Sequence, residues 1–235
     1  MRKMHLIPEQ PPVLSGVYYH WPMNEYSGSI ANEVIVGKYM RTLNGGVDTT
    51  SAWSNNSPNS IGGSIYYNND NYTARTGDDF AALATTDNIS ICAWVYLADQ
   101  PYTAGNIIAQ NRDGAHGENW LLKCRSDPSA SYIEFRMSKH NGSTEYYYHD
   151  YDFTKSIWTH IGFTIDRSIL TSNFYLDGTY VSSEVSSYGP WSTAGSEFYT
   201  GYLPAERFMT NMTDLWLAKS VLTDEEVLQI FKWRA

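Results

Sequence analysis

The chain has 235 residues, 42% of them hydrophobic, with a formal net charge of −9 and two cysteines. A protein of this length buries about 70% of its unfolded surface and needs no disulfide framework. The acid excess opposes nucleic-acid binding, which relies on neutralising phosphates with Lys and Arg. No apolar run approaches the ~20 residues that span a bilayer, so membrane insertion is not expected. Nineteen Tyr, eight Trp and only 17% charged residues, in a background of Asn, Ser, Thr and Gly, suit antiparallel sheets with wide polar loops.

In chain order, residues 1–15 carry Pro8, Pro11 and Pro12 and read as an extended arm. The basic start lacks an apolar core before Pro8, so no signal peptide is expected. The remainder, 16–235, reads as one domain without repeat or linker. A strand ends at Asn24-Glu25, a glycine-containing turn and a polar loop follow, and another strand begins near Gly46. Ile65–Tyr67 and Tyr72–Ala74 are short strands flanking a polar Asn-rich link. Ile89–Leu97 is the most apolar strand and the expected sheet centre. Three strands follow at Asn106–Gln110, Asn119–Arg125 and Ser131–Lys139. Glu145–Phe153 is another, with Tyr146 and Tyr148 on one face and Tyr147 and His149 on the other.

Trp158–Asp166 alternates with period two, placing Ile161, Phe163 and Ile165 on one face. Asp177-Gly178 lies between Phe174–Leu176 and Thr179–Val181 and predicts a type I′ hairpin, because both turn residues need positive φ. Short strands follow at Phe198–Tyr202 and Met212–Ala218. Thr223 with Glu226 three residues on is a capping box opening a short helix. Cys92 and Cys124 sit in apolar strand contexts, as buried thiols or as a single bridge.

Four patches resemble the concanavalin A-like, laminin-G-like jelly-roll family. One is Trp158-Thr159-His160 followed by the hairpin at Tyr175–Gly178. A second is Trp21, Pro22, Glu25, Ser27 and Gly28, then Thr42, Leu43, Gly45 and Gly46, with Asn24 in place of an Asp and Tyr26 in place of a Gly. A third is Ala93-Trp94-Val95. The fourth is Met212, Asp214, Leu215 and Leu217, then Leu222, Thr223 and Glu226, with Thr213 standing where the family often has Asp. The resemblance runs from about Trp21 to Phe231. It implies an antiparallel jelly-roll β-sandwich with one short C-terminal helix. It also implies a structural Ca²⁺ shared by adjacent first and last strands, with Asn24 and Asp214 as the residues in place. The weaker oxygen of Asn24 and the missing acid at Thr213 leave an Asn–Asp hydrogen bond as the alternative.

Glycosidases of this fold present three carboxylates on one strand face, spaced E-x-D-x-E. The nearest pattern is Asp150-Tyr151-Asp152, with Thr154 in the third place. No G-x-S-x-G elbow occurs, neither cysteine forms an obvious Cys-His arrangement, and the six histidines lack metal-ligand spacing. No catalytic residue is therefore assigned. Sugar recognition instead uses flat aromatic faces with polar neighbours, and Trp120, Tyr146, Tyr148, Asp150, Tyr188 and Trp191 are the candidates. The resulting expectation is a non-enzymatic virion surface protein, such as a bacteriophage fibre, decoration or tail-associated module, that binds host-cell glycans. Its N-terminal arm would dock on other assembly subunits. A stand-alone glycan-binding lectin, exported by an unrecognised route, is the alternative, and an endo-acting glycoside hydrolase is the second.

Overall fold

The computed structural model describes residues 12, 14, 16–25, 27–35, 37, 39–44, 47–49, 52–60, 62–67, 71–76, 88–97, 102–113, 117–127, 130–138, 144–150, 154, 156–185, 197–203, 206–207 and 210–235. Two antiparallel sheets face each other. The first runs β15 (Thr179–Val185), β14 (Thr171–Leu176), β13 (Trp158–Asp166), β8 (Asn88–Leu97), β19 (Thr210–Ala218), β6 (Ser64–Tyr67), β5 (Trp53–Ser54), with β1 (Val17–Trp21) also paired to β19. The second runs β12 (Thr144–Asp150), β11 (Ala130–Ser138), β10 (Gly117–Asp127), β9 (Tyr102–Asp113), β16 (Glu197–Thr200), β7 (Asn71–Thr76), β3 (Tyr39–Asn44), β2 (Ile30–Asn32), with β4 (Val47–Asp48) on β3. A small ribbon, β17 (Tyr202–Leu203) with β18 (Glu206–Arg207), a 3-10 turn at Pro58–Ser60 and the helix α1 (Asp224–Arg234) complete the described elements.

Period-two alternation builds both sides of the first sheet. Ile161, Phe163 and Ile165 of β13 lie opposite Ala93, Ile91 and Ile89 of β8 and enter the core between the sheets. The intervening His160, Gly162 and Thr164 face the other way. There Cys92, Tyr175, Trp216 and Ala218 form a second apolar layer, covered by Val227 and Ile230 of α1. β8 is thus buried on both faces, which explains its nearly continuous apolar sequence. Cys92 is a free, buried thiol, so no bridge to Cys124 forms.

The helix starts where the sequence indicates. The Thr223 hydroxyl accepts from the Glu226 amide at 3.3 Å, and the Thr223 amide donates to Glu226 Oε2 at 2.8 Å. Two glycines let α1 approach the sheet: a Cβ at Gly162 would lie 3.0 Å from Val227, and one at Gly178 would lie 2.9 Å from Phe231. Gly178 also completes the expected hairpin, with φ +74° after Asp177 at φ +46°.

The region read as a polar loop up to Gly46 differs. β2 and β3 lie inside it, and Thr42 and Leu43 pair with Thr73 and Tyr72 of β7. Only Ala31, Met40 and Thr42 are buried in these strands among the described side chains, so the hydrophobic periodicity is too sparse to announce a strand. The expected adjacency of first and last strands holds, with Trp21 opposite Leu215 and His20 opposite Trp216.

A buried polar cluster fixes that closure. The β8–β19 register slips between Thr213 and Trp216, and Asp214 adopts φ +57° there. This bulge turns the fully buried Asp214 toward His20, whose Nε2 lies 2.6 Å from Oδ1, and toward Arg234 Nε at 3.8 Å. The His20 ring stacks on Trp216 with centroids 3.6 Å apart. Burial alone would raise the carboxyl pKa, but His20 and Arg234 outweigh it and hold the group below its ordinary range. Removing one partner leaves the others buried and unpaired, so Asp214→Ala is expected to cost about 3–5 kcal/mol. Thr223→Ala, which loses a helix cap, is expected to cost about 1 kcal/mol. Chemical denaturation of the two variants checks the ranking.

Two more histidines are buried. His149 of β12 reaches across the layers, with Nδ1 2.7 Å from Ser182 Oγ and Nε2 3.1 Å from Ser172 Oγ. Burial pushes both His149 and His160 down to about 4, against the opposing pull of Asp150 and Asp214 respectively. The unfolded chain binds these protons near pH 6.5 and the folded chain does not. The stabilisation is therefore complete above pH 6.5 and declines as pH falls towards 4. Melting temperatures across this window should fall steeply, and His160→Phe should flatten the slope; an unchanged slope would contradict a neutral buried His160.

Candidate functional site

Strand β12 forms one edge of the second sheet. Its alternation is fixed by what His149 touches. The imidazole is 1% exposed, hydrogen-bonded to β14 and β15, and packed at 5.7 Å against both Phe163 and Phe174. With His149 held inward, its neighbours Tyr148 and Asp150 must point outward. Tyr148 is 44% exposed and Asp150 is exposed.

The register extends this surface. Tyr148 lies opposite Glu134, Asp150 opposite Tyr132, and Tyr146 opposite Arg136 on β11. Along β12, residues two apart are separated by about 7 Å. The strand therefore sets a phenol and a carboxylate side by side on one face, at the end of the sheet among the described strands. Such a pair combines a flat apolar ring with hydrogen-bond acceptors, the chemistry that polyhydroxylated rings require. The side chain of Tyr146 and residues Tyr188 and Trp191 lie outside the described residues.

Trp120 does not belong to this surface. It is 1% exposed in the core between the sheets, with the Phe198 ring 6.0 Å away. Its sequence neighbours Leu121 and Leu122 are also fully buried, so strand position rather than residue type decides its role. Asp214, one of the two residues the resemblance implies for calcium, has its Oδ1 facing His20 and Arg234, while its Oδ2 has no hydrogen-bond partner among the described residues. Among the described residues no group of three or more His, Cys, Asp or Glu is placed to hold a metal.

A second concave surface lies at the end of the first sheet, beside α1. It is a cavity of about 410 Å³ whose walls include Trp94 of β8, Trp158 of β13, Phe231 of α1, Asp177 of the hairpin and Asn59. Sequence reasoning did not select it, because its walls come from five segments far apart in the chain. The Trp158 ring is held by a hydrogen bond from Nε1 to Asn56 Oδ1 at 3.0 Å and by Tyr96, whose ring centroid is 5.6 Å away.

Comparison with known proteins gives a consistent picture. The fourth domain of AbnA, an extracellular arabinanase from Geobacillus stearothermophilus solved with arabinotriose, superposes with a TM-score of 0.65 at 16% identity, covering 91% of this chain and 97% of that one. The ligand-binding domain of botulinum neurotoxin serotype D, solved with N-acetylneuraminic acid, superposes with a TM-score of 0.66 at 11% identity. It covers 92% of this chain, which spans about half of that structure's length (50%). The binding domain of Paraclostridial Mosquitocidal Protein 1 gives a TM-score of 0.67 at 11% identity, covering 92% of this chain and 52% of that one. No curated protein matches the sequence. A family model described as the concanavalin A-like lectin/glucanases superfamily, Laminin_G_3, matches residues 68–228, and the chain belongs to that family.

Proposed function

We propose that this domain is a non-enzymatic glycan-binding module that uses the outward face of β12. The observation that carries the reading is the inward anchoring of His149, which presents Tyr148 and Asp150 together on the outward face of β12. Structural neighbours solved with arabinotriose and with N-acetylneuraminic acid support glycans as the ligand class. Tyr148→Ala removes an exposed ring without opening the core. It should weaken binding to glycans identified on an array by about tenfold, ~1.4 kcal/mol, at an unchanged melting temperature. Equal binding by the variant and the parent protein would remove β12 from the site.

The absence of a carboxylate triplet supports the non-enzymatic part. Incubation with β-glucan should release no reducing sugar, and release that disappears in Asp150→Asn would overturn this. The setting we infer is a surface module of a virus particle, a reading supported by a composition rich in Tyr, Asn, Ser, Thr and Gly. The arm at 1–15 would dock on neighbouring subunits, with Leu14 at its base packed against the domain's own helix-side layer. Deleting residues 1–12 should then leave the domain's melting temperature unchanged while abolishing incorporation into particles; loss of the monomer fold would refute docking.

A further inference from the structure

We infer that the cavity beside α1 binds a small organic cation, an alkylated ammonium ion, and so serves a ligand class distinct from the one proposed for β12. Its volume, about 410 Å³, falls within the range of small-molecule pockets, about 300–1,000 Å³.

The walls carry three aromatic residues, Trp94, Trp158 and Phe231. Strand register brings the two indoles together. Trp94 of β8 lies opposite His160 of β13, and Tyr96 lies opposite Trp158, so positions 94, 96, 158 and 160 share one face of the first sheet. Phe231 of α1 packs on that face, with its ring centroid 5.5 Å from Trp94. Trp158 is half-buried, and its ring is held by the bond from Nε1 to Asn56 and by Tyr96. Rings already held in place need little ordering when a ligand arrives. Aromatic rings attract cations through their quadrupole, and indole does so most strongly.

Charge decides the sign of the ligand. Among the described residues that line the cavity, Asp177 carries the only ionisable side chain. It is exposed, and its place is fixed twice by one residue. The Asp177 amide donates to the His160 carbonyl at 2.8 Å, and Asp177 Oδ1 accepts from the His160 amide at 2.9 Å. Its second oxygen takes no hydrogen bond from the described residues. Arg234, from the same end of α1, is engaged elsewhere, by Asp214 at 3.8 Å and by the Pro22 carbonyl at 3.3 Å. The net charge of −9 adds a general attraction for cations.

The scarcity of acceptors selects among cations. A primary ammonium brings three N–H donors and a guanidinium five, each needing a partner once desolvated. The lining side chains offer acceptor oxygens only on Asp177 and Asn59, and the Asn59 amide group already donates to the Arg234 carbonyl at 3.0 Å. An alkylated ammonium ion makes no such demand. Its alkyl groups suit the indole and phenyl walls and the aliphatic surface of Pro58 and Ile157, while its charge is met by the rings and by Asp177. An anionic ligand would be repelled by the same carboxylate.

The test is protein-observed NMR of the full chain at constant ionic strength, with the Trp94 and Trp158 indole N–H signals assigned by W94F and W158F. Tetramethylammonium and choline are titrated, with 3,3-dimethylbutan-1-ol, the uncharged isostere of choline, as the counter-probe. The expected result is a saturable shift of both indole signals with the two cations, and binding at least tenfold weaker for the neutral isostere. Asp177→Asn removes the charge yet keeps an acceptor for the His160 amide and a residue that tolerates positive φ. It should weaken choline binding at least tenfold. Trp158→Ala, followed at the Trp94 signal, should do the same, whereas Tyr148→Ala should bind choline as the parent does. The inference is overturned if neither cation shifts the signals, if the neutral isostere binds as well as choline, or if Asp177→Asn binds choline as the parent does. Loss of glycan-array binding in Tyr148→Ala does not bear on the cation, and silence of the indole signals does not bear on β12, so the two readings fail separately.

Discussion

The buried carboxylate of Asp214 is the constraint on which the closure of this sandwich depends. A lone ion there would be costly, and its position is tolerated because three segments converge on it. His20 comes from the first strand, Arg234 from the last turn of the helix, and the acid itself from a bulge in the last strand. The carbonyl of Pro22 completes the junction, accepting from the Asp214 amide, the Thr213 hydroxyl and Arg234 Nη2.

The same closure divides the outer surfaces of the molecule. Helix α1 covers one side of the first sheet through Val227 and Ile230, and its acidic first turn receives the Tyr175 hydroxyl at Asp224. Negative charge there also suits the positive end of the helix dipole. Beside Phe231, Trp94 and Trp158 border a recess. Among the described residues strand β12 ends the second sheet, with Tyr148 and Asp150 in solvent. One fold thus offers two chemically distinct concavities or faces without any change to its core.

Much of the architecture is legible in the residues. Strict alternation in Trp158–Asp166, the Asp-Gly turn and the Thr223–Glu226 capping box each encode local geometry in adjacent positions, and each forms as the residues dictate. The outward direction of Tyr148 follows from the same period. What is not legible depends on distance along the chain. His20 and Asp214 are 194 residues apart, and no local pattern links them. Trp120 looks like a sugar platform until its strand is placed inside the sandwich, where the ring faces Phe198. β2 and β3 escaped because short strands with few buried side chains carry little hydrophobic rhythm.

The pairing of β19 has a consequence for how the chain reaches this state. One edge of β19 joins β8, while the other is shared by β6 through Thr210–Met212 and by β1 through Leu215–Ala218. The strand that completes the centre of the first sheet is thus made after every strand it touches. During synthesis those partners leave the ribosome with an empty slot between them, exposing Ile91, Trp21 and Ile65 until Thr210–Ala218 arrives. Folding of this kind is dominated by non-local contacts and is intrinsically slow. An unfilled central slot of apolar strands is also a template for wrong pairing between nascent chains. Yield of folded protein should therefore be governed by how quickly the final strand inserts, a kinetic vulnerability set by topology rather than by the strength of any single contact.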